Sequence, residues 1–381
     1  MKGSIKEAWA EPQTLMRSII QRIATGPELS KDISREEARL GMHYVLEGMV
    51  EPVQAAVFLI ALRMKRETDE ENQGILEALL DATQSVSAPV PDVLDLADPY
   101  DGYSRTLPVS PFLPAVLAAC GVATVSHGVQ SMGPKNGLTH RQVLTAAAVP
   151  VDLSPAQAAA RLGDTGISWA YVDQKAFCPK LYDLAKLRAL IVKRPALAAT
   201  ETLLGPLRGQ FRTHLVTGYV HKPYPRIYAL LARRAGFDSA LIVRGVEGGV
   251  IPSLRQSGRA FYYHDKGEEQ SIDFRPSDLG IDEPVVATPL PSAAEREGDA
   301  DEQVAPQAEN AVLAQAAAQA GLAALCGSSG PARDSLVCGA ALCLWHLRRH
   351  DSLQAAAVAV RRVLDCGTAL QRLRRAASAK Q

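Results

Sequence analysis

Apolar and polar residues alternate with helical spacing from Thr14 to Ser85, which predicts a small all-helical unit at the start of the chain. Two capping boxes mark helix starts within it: Ser34 with Glu37, and Thr68 with Glu71, each placing a carboxylate over free backbone amides. Pro52 suits a first helical position, ahead of the apolar run Val53–Leu62. The segment VQAAVFLIAL carries more apolar surface than a few short helices can cover alone. The unit is therefore expected to pack against another subunit or a later part of the chain.

The pattern changes after SAPVPDVLDLADPY, read as a Pro-rich hinge. Short β-branched runs now alternate with helical segments, and Val122–Ser126, His214–Gly218 and Ala240–Arg244 are the candidate strands. Runs of this kind predict an α/β domain with a largely parallel central sheet. Leu181–Leu204 reads as helical again and is expected to return to the small domain. The division is then residues 1–88 with 181–204 as the helical domain, and 89–180 with 205–381 as the α/β domain. Residues 281–310 form an acidic, Ala- and Pro-rich loop or insertion, with Glu295, Glu297, Asp299, Asp301 and Glu302 close together. From Ala311 to about Arg375 the chain is helical.

A chain of 381 residues with 47% hydrophobic content can bury a sizeable core and suggests more than one domain. Lys plus Arg and Asp plus Glu both total 41, so nothing in the overall charge attracts nucleic acid, and any such partner must be met by a local patch. The apolar runs are too short to span a bilayer, and MKGSIKEAWAEPQTL has no apolar export core, which points to the cytoplasm and no membrane partner. Six scattered cysteines without a CxxC pair read as reduced, mostly buried thiols rather than a zinc site.

In parallel α/β sheets, ligands sit beyond the carboxyl ends of the strands. Ala97–Ser110, Ser126–Gly137 and Arg244–Pro252 are loops with that placement, and LLGPL (Leu203–Leu207) is a further turn. In this order, behind a helical N-terminal unit, these segments resemble anthranilate phosphoribosyltransferase and its relatives in glycosyltransferase family 3. The closing stretch ARDSLVCGAALCLWHLRRHDSLQAAAVAVRRVLDCGTAL also resembles that family's last helices. The resemblance implies the fold of that family, a homodimer built through the helical domain, and a ligand cleft between the domains.

It also exposes departures. The family holds phosphoribosyl pyrophosphate on a GTGGD loop; here Asp101 and Gly102 remain, but Pro99 and Tyr100 replace the glycines before them. Of an NIST-like phosphate segment only Ser110 is kept, behind Leu107, Pro108 and Val109. Of KHGNR, His127 and Gly128 remain, with Ser126, Val129 and Gln130 replacing the rest; Gly137 closes that loop. The family's Asp-Glu pair for magnesium is matched by Val250 and Ile251, while Glu247 and Gly248 persist upstream. Asp101, Gly102, Ser110, His127, Gly128, Gly137 and Glu247 are thus read as remnants of the ligand cleft. His127 is a loop-shaping residue by family precedent, and no catalytic residue is assigned.

YDGYSR, SHGV, AFCP and RGVEGGV resemble more closely a bacterial side branch of the family, whose members are dimeric nucleic-acid-binding proteins. That resemblance implies a degenerate active site, no cofactor, and a basic groove in which Arg105, Lys135, Arg188, Lys193, Arg194 and Arg244 meet single-stranded DNA or RNA. Tyr100 and Tyr103 either stack on bases or pack their rings on neighbours. The alternative expectation is an active phosphoribosyltransferase with an altered donor site, acting on anthranilate or another aromatic acceptor and using magnesium. A dimeric interaction protein that keeps only the scaffold is the third.

Overall fold

Ser34 Oγ accepts from the Glu37 amide while the Glu37 carboxylate accepts from the Ser34 amide, and Thr68 and Glu71 repeat the exchange. Helices α2 (Arg35–Leu46) and α4 (Asp69–Asp81) start at these caps, and α1 (Pro12–Ile23) and α3 (Pro52–Lys65) complete the first unit. The structure, a computed structural model, describes residues 12–26, 28–291 and 307–379.

The remainder is α/β. Its elements run β1 (Asp92–Ala97), α5 (Leu113–Ala119), β2 (Thr124–Gly128), α6 (His140–Ala146), α7 (Pro155–Gly163), β3 (Trp169–Asp173), α8 (Ala185–Ile191), β4 (Arg212–Gly218), α9 (Tyr224–Arg234), β5 (Ser239–Val243), β6 (Gly258–Tyr263) and β7 (Gln270–Phe274). The closing helices are α10 (Gln307–Leu325), α11 (Pro331–His346), α12 (Leu353–Asp365) and α13 (Thr368–Ser378). Among the described residues these strands form one seven-stranded sheet ordered β3-β2-β1-β4-β5-β6-β7. β1 to β5 are mutually parallel, and β6 and β7 add antiparallel at one edge.

Strand alternation divides the core between the two faces. Leu94, Leu96, Val216, Leu241 and Val243 face a cluster with α5, α11 and α12. Val93, Ala97, Leu215, Ala240 and Ile242 belong instead to the cluster that contains Phe58, Leu59, Ile75 and Leu79 of the helical unit. The helical unit is therefore not a detached module: its core continues into one face of the sheet. α11 is buried from Ser335 to Leu344, as expected for a helix apolar on every side.

Some expected elements are corrected. SAPVPDVLDLADPY is not a hinge, because Asp92–Ala97 is β1, an interior strand paired on both sides; Pro89 and Pro91 merely precede it. The Leu181–Leu204 helix is broken. α8 ends at Ile191, capped by Val192, whose φ of 62° is left-handed, and beyond Pro195 come 3-10 turns, Ala196–Ala199 and Glu201–Leu203. α8 and the first of these turns pack on α3 and cover part of its apolar surplus, though Val53 and Met64 stay exposed. Trp169–Asp173, Gly258–Tyr263 and Gln270–Phe274 are strands that the sequence reading lacks. The acidic cluster from Glu295 to Glu302 lies outside the described residues. No helix among the described residues is long and apolar enough to cross a membrane.

Candidate functional site

From β1 the chain winds to β2 and β3 on one side, and from β4 to β5 on the other, so the strand order reverses between β1 and β4. Such a reversal leaves a crevice at the strands' carboxyl ends. A cavity of about 150 Å³ lies there. Its floor is Ala97, Pro99, Tyr100 and Asp101 at the end of β1 and just beyond, Thr217 to His221 at the end of β4 and just beyond, and Glu247 and Gly248 of the third loop. Arg63 of α3, Arg188 of α8, Arg194 and the turns from Ala198 to Thr202 close it from the helical side, and Tyr224 and Tyr228 of α9 form a wall.

Asp98 ties the loops together. Its Oδ1 accepts from the Val250 amide at 2.8 Å, and its Oδ2 lies 2.8 Å from Tyr103 Oη, 2.6 Å from Ser110 Oγ and 2.6 Å from His140 Nε2. Burial alone pushes this carboxyl up, but His140, Ser110 and Tyr103 outweigh it and hold Asp98 below its ordinary range. The third loop packs closely on the others: a Cβ on Gly249 would stand 1.8 Å from the Tyr103 hydroxyl, and one on Gly218 2.1 Å from the Gly249 carbonyl. Only glycine permits that approach.

Glu247 is the second centre. Its carboxylate accepts from the amides of Ser104 (2.9 Å) and Arg105 (3.0 Å), from Thr106 Oγ1 (2.9 Å) and from Lys135 Nζ (2.7 Å). Burial raises its pKa, yet Lys135 and these donors bring it below the ordinary value. A third chain is buried: Tyr100 Oη lies 2.6 Å from His127 Nδ1, and His127 Nε2 lies 2.7 Å from Asp95 Oδ1. A carboxylate only accepts, so Nε2 carries the proton facing Asp95, and the Tyr100 hydroxyl closes the chain at Nδ1. Burial drives the Tyr100 hydroxyl well above its ordinary pKa.

The remnant residues are therefore placed unevenly. Asp101 and Glu247 line the cavity. Ser110 and His127 are about 1% exposed and turn inward, and Gly128 and Gly137 are buried behind them. Gly102 packs on the Gly137 backbone, where a Cβ would come within 2.7 Å. These five are corrected from cleft residues to supports, because their polar or backbone atoms are consumed inside the loops.

The basic groove is also corrected. Arg188 is 2% exposed and paired with Glu201, Lys135 is paired with Glu247, and Arg194 donates to Asp101 at 2.8 Å. Arg105, Lys193 and Arg244 are exposed, but Arg105 and Arg244 do not line the cavity, and neither does Lys193. Charges already neutralised by carboxylates present no polycationic track. Tyr100 and Tyr103 pack internally rather than standing free for bases.

Arg63, Tyr224 and Tyr228 are cavity residues that the sequence reading passed over. Arg63 Nη1 donates to Tyr224 Oη at 2.5 Å, joining α3 to α9 across the cleft. The signal for the tyrosines was their four-residue spacing, which sets both on one helix face. Arg63, at the polar end of an apolar helix, reads as an ordinary solvated cation.

Comparison with known proteins agrees with this architecture. Residues 17–83 match the helical bundle domain of a glycosyl transferase family, and residues 101–370 match its a/b domain. The anthranilate phosphoribosyltransferase of Thermomicrobium roseum is 28% identical over 368 residues, covering 95% of this chain and 96% of that one. That of Rhodopseudomonas palustris is 26% identical over 361 residues, with 94% and 96% covered. An uncharacterized protein of Aquifex aeolicus is 29% identical over 255 residues, 67% of this chain and 74% of its own. The crystal structure of anthranilate phosphoribosyltransferase from Thermus thermophilus superposes with a TM-score of 0.70 at 21% identity, covering 96% and 98%. The enzyme of Saccharomyces cerevisiae in complex with PRPP and Mg superposes with 0.70 at 16% identity, covering 94% and 96%.

These relationships overturn the expectation of a non-enzymatic protein bound to nucleic acid, for similarity runs along almost the whole chain to phosphoribosyltransferases. They also overturn the reading of the site as degenerate. Its loops are rebuilt around saturated hydrogen-bond centres at Asp98 and Glu247, not left open.

The residues present do not fit a magnesium ion. Hard cations need clustered oxygen ligands. Among the described residues no group of three or more His, Cys, Asp or Glu is placed to hold a metal. Val250 and Ile251 are buried apolar side chains, and Asp98, Asp101 and Glu247 are each spent on protein donors or cations.

Proposed function

Because the chain belongs to the glycosyl transferase family whose helical bundle and α/β domains it carries, we propose that it is a phosphoribosyltransferase with an altered donor site, acting on anthranilate or another aromatic acceptor. The observation that carries the reading is a cleft at the sheet's reversal point in a chain related along 94–95% of its length to anthranilate phosphoribosyltransferases. In the reaction the acceptor nitrogen attacks the ribose carbon, the bond from that carbon to the diphosphate oxygen breaks, and the electron pair leaves with pyrophosphate. The nitrogen then sheds its proton.

Tyr219, Tyr224 and Tyr228 give the cavity an aromatic wall suited to a planar acceptor. Arg188 lines the cavity, and its double hydrogen bond to Glu201 fixes the wall on the acceptor side. Arg194, half exposed beside Asp101, is the cation positioned to meet a leaving diphosphate. No step is assigned to a divalent cation, since among the described residues the side chains do not form a site for one. We further propose residues 1–88 with 181–204 as the helical domain and 89–180 with 205–381 as the α/β domain, and a cytoplasmic location, which six free thiols favour.

Isothermal titration of the protein with phosphoribosyl pyrophosphate tests the donor half of this reading. Saturable heat at sub-millimolar ligand is expected with or without magnesium; no heat at millimolar ligand would count against it.

A further inference from the structure

The donors around Glu247 form a cradle built for an oxyanion. Two successive amides, Ser104 and Arg105, point at one spot, with Thr106 Oγ1 and Lys135 Nζ completing the ring at 2.7 to 3.0 Å. Ser104 Oγ adds a longer contact at 3.4 Å. Successive backbone amides converging with an ammonium are a recurrent way of holding phosphate. Here a side chain of the protein itself fills the cradle.

The occupant is held by an unusual backbone. Glu247 is a non-glycine residue at φ 54°, ψ 19°, in the left-handed region, between Gly245 and the Gly248–Gly249 pair. Glu247 and Gly248 line the cavity, whereas Ser104, Arg105, Thr106 and Lys135 do not. The carboxylate thus stands as the partition between the cleft and the cradle. Moving it aside would join the two, and the flanking glycines supply the backbone freedom for the movement.

We propose that Ser104, Arg105, Thr106 and Lys135 form a latent oxyanion subsite, which Glu247 occupies as an internal mimic and which the phosphoryl group of an incoming ligand takes over. A phosphoryl group brings three oxygens and up to two charges where the carboxylate brings two oxygens and one charge, so it uses the same donors more fully. The identity of that ligand rests on the transfer reading above; the existence of the subsite does not. The exchange also shows how a phosphorylated ligand can be held without clustered metal ligands: Lys135 supplies the positive charge.

Inorganic phosphate is the probe, titrated calorimetrically into the full chain near neutral pH without added metal. Glu247→Gln removes the competing charge, Glu247→Ala empties the cradle, and both are expected to raise phosphate affinity at least about tenfold over the parent protein. Adding Lys135→Gln to either should abolish the gain, which separates this subsite from phosphate binding elsewhere. Glu247→Asp keeps the charge but is one methylene too short to reach every donor. It is expected to gain several-fold, and it decides the matter if the other two do not fold by circular dichroism. Folded variants that bind phosphate no better than the parent would overturn the proposal, as would a gain that survives Lys135→Gln. Neither result depends on turnover, so failure to transfer ribose phosphate leaves the subsite standing, and failure here leaves the transfer reading standing.

Discussion

The Arg188 guanidinium and the Glu201 carboxylate face each other through two hydrogen bonds of 2.5 and 2.7 Å, both residues almost wholly buried beside the cleft. The pair ties α8 to the 3-10 turns that close the cavity. Breaking it strands one buried charge. Arg188→Ala or Glu201→Ala should each cost about 3–5 kcal/mol, and the joint Arg188→Met, Glu201→Leu change less than either alone. Urea unfolding of the single and double variants measures this. Equal or additive costs would contradict it.

Val250 and Ile251 stand where metal carboxylates would otherwise be expected, yet both belong to the core and the Val250 amide is committed to Asp98. Val250→Asp should therefore destabilise by about 3–5 kcal/mol, through a buried carboxylate set beside another. Millimolar magnesium should not raise its melting temperature. A metal-dependent rise would show that the loop can still open into a cation site.

Tyr100 and His127 make a second prediction of this kind. Tyr100→Phe removes the hydroxyl that meets His127 Nδ1 and leaves that nitrogen buried, at a cost of about 1–3 kcal/mol. Thermal melts of Tyr100→Phe and His127→Asn should show losses that are not additive, because both break one chain.

At the opposite end of the sheet His346 is fully buried, bonded to Ser239 Oγ at 2.9 Å and stacked on His264 at 4.7 Å. Burial first, then His264, His214 and Arg348, hold it well below its ordinary 6.5. Asp238 and Arg212 also border this pocket. A depressed histidine stays neutral in the fold while the unfolded chain takes up a proton. Stability is then complete above pH 6.5 and lost as pH falls toward the folded value, by up to about 1.4 kcal/mol per pH unit. His346→Gln should flatten that slope between pH 6.5 and 5. An unchanged slope would assign it to other groups.

The helical unit was readable because its caps are local: Ser34, Glu37, Thr68 and Glu71 act within one turn of the residues they stabilise. β1 was not, since a six-residue strand flanked by Pro91 and Pro99 has the same local chemistry as a linker until its neighbours β2 and β4 pair with it. The site shows the same limit. The loops and their departures from the family pattern could be located from Asp101, His127 and Glu247 alone. That Lys135, Arg188 and Arg194 each meet a carboxylate distant in sequence could not, because a formal charge in a sequence does not disclose its partner.

The cleft at the sheet's reversal point is proposed to transfer ribose phosphate. The direct measurement is pyrophosphate release when the purified chain is mixed with phosphoribosyl pyrophosphate and a set of aromatic amines, anthranilate first, with and without magnesium. Release is expected to depend on the amine, to be matched by formation of the ribosylated product, and to fall at least about tenfold in Arg194→Ala. No amine-dependent release above the uncatalysed rate, from protein shown to be folded, would contradict it.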